Sequence, residues 1–274
     1  MLSAGARSLD VSTPRVMGVL NVTADSFSDD GLAHDAVWAL ARARQMIADG
    51  ADIIDIGGES TRPGAEPIGV DEELHRIVPL VQALAADGAL VSVDTMKPEV
   101  MRAAIGAGAA MVNDVRALLA PDALDVLADG DAAVCLMHMQ GEPRTMQVAP
   151  VYADVVREVR EFLAGRARAC IAAGIARERI VVDPGFGFGK TLAHNLALLR
   201  ELASIVTLGF PVLAGLSRKS MLGALAGRDV GERTAASIAA ALAAIAHGAS
   251  IVRVHDVRAT VDAIRVWQAI NQVS

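Results

Sequence analysis

Residues 17–31 read MGVLNVTADSFSDDG. The run leading into them, residues 16–20 (VMGVL), is apolar and uncharged, the pattern of a strand buried on both faces. It stops at Asn21. The residues that follow are small and polar, set around one aromatic, Phe27. A buried strand running into a polar loop delivers Asn21 to the strand's carboxyl end, where parallel α/β folds bind their ligands. One such loop is also what an ordinary strand–helix connection looks like. How often the chain repeats the arrangement decides the fold.

The repeat is sustained to the end of the chain. Residues 35–49 carry apolar side chains at 36, 37, 40, 43, 46 and 47, which is helical spacing, and Gly50 is placed to end the helix. Further short apolar runs at 52–56, 90–93, 109–112, 132–137, 180–182, 211–214 and 250–254 predict strands. Helical patterns at 71–86, 98–106, 121–128, 152–173, 192–202, 232–246 and 257–270 follow them in turn. Eight strand–helix units match an α/β (β/α)8 TIM barrel, whose usual length is about 250 residues. The expected organisation is an N-terminal extension at 1–14 and a single barrel domain at 15–274. A doubly wound open sheet is the alternative, but no GxGxxG follows the first strand. The segment DPGFGFGK at 183–190 is not a Walker loop, because Pro184 stands where that loop needs glycine.

Composition narrows the functions. Hydrophobic residues make up 53% and aromatics only 3%, so the core is built from Ala, Val, Leu and Ile. Net charge is −7 with no block of Lys or Arg, which argues against nucleic acid or an anionic membrane surface as a partner. Small anions remain possible, since a local cluster overrides net charge. Cys135 and Cys170 have no CxxC or metal spacing and read as buried thiols. With no signal peptide and no membrane-length apolar run, the expected location is the cytoplasm.

The first polar residues after the eight strands are Asn21, Glu59, Asp94, Asn113, His138, Asp183, Ser217 and His255, with Arg253 just inside the last. In a barrel they converge on one face. Asp94, Asn113 and Asp183 all accept hydrogen bonds, which suits a flat heterocycle with paired N–H donors. Helix capping is the competing reading for Asp94. Arg62, Arg218, Lys219, Arg253 and His255 form a basic set near strand ends 2, 7 and 8, a usual place for a phosphate site. Arg218 reads as one half of a surface ion pair. Arg253 and His255 flank Val254 in an apolar strand, so they share one side and need partners. His138 reads as structural. The loops at 22–33 and 57–69 are long and rich in small residues, which suits closure over a substrate as well as a plain surface loop.

Together these stretches resemble the dihydropteroate synthases of folate biosynthesis. MGVLNVTADSFSDDG and DIGGESTRPGA are similar to that family's two signature loops. SVDTMKPEV, NDVRAL, CLMHMQGEPRTMQ, VVDPGFGFGK, GLSRKSMLG and IVRVHDV are similar to its remaining motifs, in order. The resemblance covers roughly residues 15–270. One departure lies in the first loop, where Ala24 and Asp30 stand for the family's usual proline and glycine. Related pterin-binding methyltransferase domains would need no pyrophosphate site, so STRPG, SRKS and RVHD together argue against them.

The resemblance implies condensation of 7,8-dihydropterin pyrophosphate with para-aminobenzoate, giving 7,8-dihydropteroate and pyrophosphate. It implies catalytic roles for Asp94, Lys219 and Arg253. The pterin would lie against Asp94, Asn113, Asp183 and Lys219, with Met137 and Phe188 packed on it. Asn21, Arg62, Arg253 and His255 would hold the pyrophosphate, and Mg²⁺ would sit on Asn21. Thr61, Pro63, Phe27, Phe188, Lys219 and Ser220 would form the aminobenzoate pocket. Family resemblance and the nearly all-apolar helix at 232–246 together predict a homodimer.

Overall fold

The structure, a computed structural model, describes residues 1–22, 32–60 and 64–271. Eight parallel strands form the sheet: β3 (Arg15–Asn21), β4 (Ile53–Gly57), β5 (Val91–Asp94), β6 (Met111–Asp114), β7 (Ala133–Met137), β8 (Ile180–Asp183), β9 (Leu213–Ala214) and β10 (Ile251–Val254). Their spatial order is β8-β7-β6-β5-β4-β3-β10-β9. A parallel bridge from Val182 to Val212 joins the two ends, so the sheet closes into the expected barrel.

The outer layer is helical. It comprises α1 (Leu32–Ala48), α2 (Val70–Ala86), α3 (Pro98–Gly106), α4 (Ala123–Ala128), α5 (Val155–Ala172), α6 (Leu192–Arg200), α7 (Leu202–Val206), α8 (Ser220–Ala226), α9 (Thr234–Ala246) and α10 (Val257–Asn271). The helix expected at 192–202 is divided: it ends at Glu201, whose backbone is not helical, and α7 restarts at Leu202. The helix expected from 152 begins instead at Val155. There the Asp154 side chain accepts a hydrogen bond from the Arg157 N–H and fixes the start.

Strand side chains alternate between two cores, as the pleat requires. One phase, including Val16, Leu20, Ile54, Ile56, Val91, Val93, Val134 and Val182, packs outward under the helices. The other phase fills the barrel. Its lower level is apolar: Met17, Ile53, Met111, Ala133, Val181, Leu213 and Ile251.

The N-terminal residues close this lower end. β1 (Leu2–Ala4) and β2 (Arg7–Leu9) form an antiparallel hairpin within the N-terminal extension at 1–14. Leu2 and Ala4 are fully buried in the inner core. The turn is held by the Gly5 N–H, which donates to the Asp131 carbonyl at 3.1 Å. A barrel bottom open to water would wet seven apolar side chains, and the hairpin removes that cost.

Leu2→Ala is therefore expected to destabilise the protein by about 2–4 kcal/mol, as a buried large-to-small change does. Urea denaturation reads this directly. A loss under about 0.5 kcal/mol would show that the hairpin is not a working plug.

Candidate active site

Strand register assembles the site. In the parallel ladders Asn21 pairs with Gly57, Gly57 with Asp94, Asp94 with Asn113, and Met137 with Asp183. Residues distant in sequence thus stand at one level of the barrel mouth. They surround a cavity lined by Val19, Asp94, Asn113, Val115, Met137, Asp183, Phe188, Gly215, Ser217, Lys219, Arg253 and His255.

An ion-pair network spans the cavity floor. Arg253 Nε donates to Asp55 Oδ2 at 2.6 Å, and its Nη2 donates to Asp94 Oδ2 at 2.8 Å. Asn113 Nδ2 donates to the same Asp55 oxygen at 3.1 Å. That bond uses the amide's donor end and leaves Asn113 Oδ1 without a partner. Asp94 Oδ1 and Asp55 Oδ1 are likewise buried and unpartnered. Such oxygens are costly unless a ligand or water supplies N–H or O–H groups.

Burial dominates the electrostatics. It pushes Asp94 up to about 7 despite the opposing Arg253 charge, with Asp55 adding like-charge repulsion. Burial also raises Asp183, against the Gly185 N–H, which donates to its Oδ1 at 2.7 Å, and against Lys219. Lys219 is lowered to about 8 by burial, with Asp183 opposing. Its Nζ bonds the Phe186 carbonyl and lies 4.3 Å from the centre of the Phe188 ring. His255 sets its Nδ1 3.1 Å from Ser217 Oγ, which also accepts from the His255 backbone N–H.

Eight of the sequence-derived site residues meet here: Asp94, Asn113, Met137, Asp183, Phe188, Lys219, Arg253 and His255 all line the cavity. Asp94 does not cap a helix; the residue at the cap of α3 is Lys97. Asn21 ends β3 beside the cavity rather than in its wall, and Ser220 is an exposed first residue of α8. Phe27, Thr61, Arg62 and Pro63 lie outside the described residues. Arg218 makes the ion pair expected of it, bidentate with Asp256 at 3.1 and 2.6 Å. His138 stands behind the wall, its Nδ1 2.9 Å from Lys190 Nζ, and burial lowers it to about 3, with Lys190 adding to the shift.

The residue sequence reasoning missed is Asp55, fully buried in the run IIDIG. The signal was available: a lone carboxylate inside an apolar strand needs a partner for the same reason Arg253 does. A second buried cluster also escaped notice. Lys97 Nζ bonds Glu59 and, at 2.6 Å, Glu73, tying the end of β4 to α2 and α3.

The raised Asp94 value has a consequence for stability. A carboxyl whose folded value lies above its unfolded value of 3.8 favours the fold in its protonated form. That contribution is complete below pH 4 and is lost as pH rises to 7. Urea midpoints are thus expected to fall across this window, and less steeply in Asp94→Asn. Equal slopes in both proteins would show that ionising Asp94 costs the fold nothing.

The family described as pterin binding enzyme matches residues 17–255. Dihydropteroate synthase of Escherichia coli (strain K12) is 51% identical over 269 residues, covering 98% of this chain and 95% of that protein. Xanthomonas albilineans dihydropteroate synthase, solved with 4-aminobenzoic acid, superposes with a TM-score of 0.92 at 52% identity, covering 97% of this chain and 96% of that one. The Burkholderia cenocepacia enzyme complexed with 7,8-dihydropteroate gives 0.89 at 52% identity, over 98% and 95%. With the barrel and the strand-end site, these likenesses establish that the chain belongs to the dihydropteroate synthase family of pterin-binding transferases.

Proposed function

We propose that the strand-end cavity is where the family's reaction takes place: 7,8-dihydropterin pyrophosphate condenses with para-aminobenzoate to give 7,8-dihydropteroate and pyrophosphate. The observation that carries this assignment is the pair of unpartnered acceptors, Asp94 Oδ1 and Asn113 Oδ1, in the wall of one cavity. A pterin edge offers adjacent N–H donors that satisfy both. Met137 and Phe188 supply apolar surface for the flat ring.

The pyrophosphate belongs on the basic side, with Arg253, His255 and Lys219. Arg253 can serve there because Asp55 and Asp94 already hold its guanidinium in one orientation. Pyrophosphate leaves with the C–O bonding pair, and the pterin methylene becomes cationic. Ionised Asp94 at the ring edge stabilises that charge. The arylamine nitrogen then forms the C–N bond and loses a proton to solvent or to the departing anion. An arylamine traps a cation without a strong base, so no nucleophilic triad is needed. Lys219, over the Phe188 ring, can orient the ring and neutralise charge on the leaving side.

Mg²⁺ is part of this proposal. The described residues include no cluster of three His, Cys, Asp or Glu fit to hold a metal. The donor on hand is the neutral amide oxygen of Asn21, at the end of β3. That fits an ion which takes few protein oxygens and completes its shell with phosphate and water. When bound, it would offset charge on the pyrophosphate.

On family resemblance Thr61, Pro63, Phe27 and Ser220 are proposed for the aminobenzoate side, and Arg62 for the pyrophosphate. Free, buried Cys135 and Cys170 and a charged substrate support a cytoplasmic location. No described helix is long and apolar enough to cross a membrane.

A homodimer through α9 completes the proposal. The helix turns Ser237, Ala240, Ala241, Ala244 and Ile245 into its own barrel. It leaves Ala235, Ala239 and Ala246 exposed, and α10, packed beside it, exposes Val266 and Ile270.

Pyrophosphate release that requires both substrates tests the reaction. In the same preparation, Arg253→Ala is expected to weaken binding of the pterin pyrophosphate far more than binding of a phosphate-free pterin. Calorimetry showing equal losses for the two would move the anion site elsewhere. For the dimer, light scattering at micromolar concentration should give twice the chain mass, and Ala239→Glu should halve it. A dimer that survives this change rejects α9 as the interface.

A further inference from the structure

Lys190 is the buried charge the reaction above leaves without a task. It is 3% exposed at the end of the glycine-rich loop after β8. Four acceptors surround its Nζ: His138 Nδ1 at 2.9 Å, the His138 carbonyl at 3.2 Å, and the Gly185 and Phe188 carbonyls at 3.0 Å each. Of the two forms of a lysine, only the ammonium has donors for three of them; burial lowers this one to about 7, with Asp183 opposing. Among the described residues no carboxylate reaches ion-pair distance of it, and the Asp183 charge acts on it from farther away. Where packing is all that is needed, an apolar side chain of this size serves as well or better than a buried charge. The lysine does what an apolar side chain cannot: it draws one imidazole and three carbonyls, from two different strand ends, to a single point.

The loop so gathered builds one wall of the cavity. Its Phe188 lies under Lys219, and its Phe186 carbonyl accepts from Lys219 Nζ. The loop is pressed hard against the end of β7. A Cβ on Gly185, which has φ +67°, would stand 1.9 Å from the His138 carbonyl oxygen. Side chains fix it from the other side as well. Asn195 accepts from the Gly187 N–H at 2.7 Å, and the Tyr152 hydroxyl donates to the Gly189 carbonyl at 2.8 Å.

We propose that Lys190 is a positioning residue for the pterin site: its ammonium clamps His138, Gly185 and Phe188 together and so sets the Phe188 ring and Lys219 against the ligand. The proposal rests on the reading of the cavity as the pterin site. It assigns His138 a role too, as an acceptor whose ring proton sits on Nε2.

Two measurements test it. In ligand-free protein, nitrogen-15 spectra of the imidazoles should show His138 with an unprotonated Nδ1, and Lys190→Met should move that resonance. A proton found on Nδ1 in the wild type overturns the clamp without reference to any ligand. In calorimetry, Lys190→Met is expected to bind pterin pyrophosphate about tenfold or more weakly, the scale on which small misplacements act. Its KM for that substrate should rise by more than its kcat falls. Should this variant not fold, Lys190→Arg keeps the charge but cannot converge four acceptors on one atom, and the same weakening is expected. A wild type that binds no pterin pyrophosphate overturns the underlying reading. A wild type that binds it, with a folded variant inside twofold of its affinity, overturns the role of Lys190 alone.

Discussion

The upper half of this barrel depends on one contact set, the guanidinium of Arg253 between Asp55 and Asp94. The three residues come from β10, β4 and β5, and Arg253 is 198 and 159 positions from its partners. Burying a lone carboxylate in the middle of a strand would be prohibitive. Here each charge answers another, and Asn113 adds a fourth side chain to the same point. The cations do not fully answer the anions, however. Asp55, Asp94 and Asp183 outnumber Arg253 and Lys219, and burial raises Asp94 and Asp183 against the pull of those cations. A ligand that brings N–H donors, and passes through a cationic state, corrects what the protein leaves unfinished. The site is thus electrostatically prepared for the transition rather than for the resting state.

That arrangement is possible because the barrel interior is split by level. Inward-facing positions recur every second residue along each strand. On β4 they run Ile53, Asp55, Gly57; on β10 they run Ile251, Arg253 and then His255 just beyond. The first member of each series is apolar and belongs to the plugged lower core; the second is polar, Arg253 lining the cavity and Asp55 lying buried against it. Stability and chemistry therefore occupy successive layers of the same strands. The N-terminal hairpin seals the lower layer, which frees the upper one to carry charge.

The same alternation explains what could be read from sequence. Strand ends were legible because a polar residue after an apolar run is visible without knowing the strand's phase. Asp94, Asn113, Asp183 and His255 were found that way. Asp55 was not, because IIDIG is buried on both faces and reads as one apolar run. Aligning it with Arg253 by phase would have exposed the pair. The hairpin was invisible for another reason. Three-residue strands carry too little periodicity to detect, and Leu2 and Ala4 are buried by tertiary contact alone. Ser220 was assigned from its place in a motif, and the fold leaves it exposed at a helix start. The all-apolar look of α9 was real, but only the structure shows which alanines face inward.

Lys190 and His138 lie one step outward from the cavity. Neither lines it, yet the loop that does is built around their contact. A glycine-rich segment has little side-chain packing of its own to hold a shape, and its freedom in the unfolded chain makes ordering it expensive. An internal ammonium solves this with few atoms, because carbonyls must be satisfied wherever they are buried. The loop's shape is thereby tied to a polar point contact as well as to the ring of Phe186, which is buried in the core, while Phe188 lines the cavity. The floor network and this clamp follow one strategy. The barrel fixes its active residues with buried charges placed one layer behind them, and leaves the layer in front unsatisfied for the substrate.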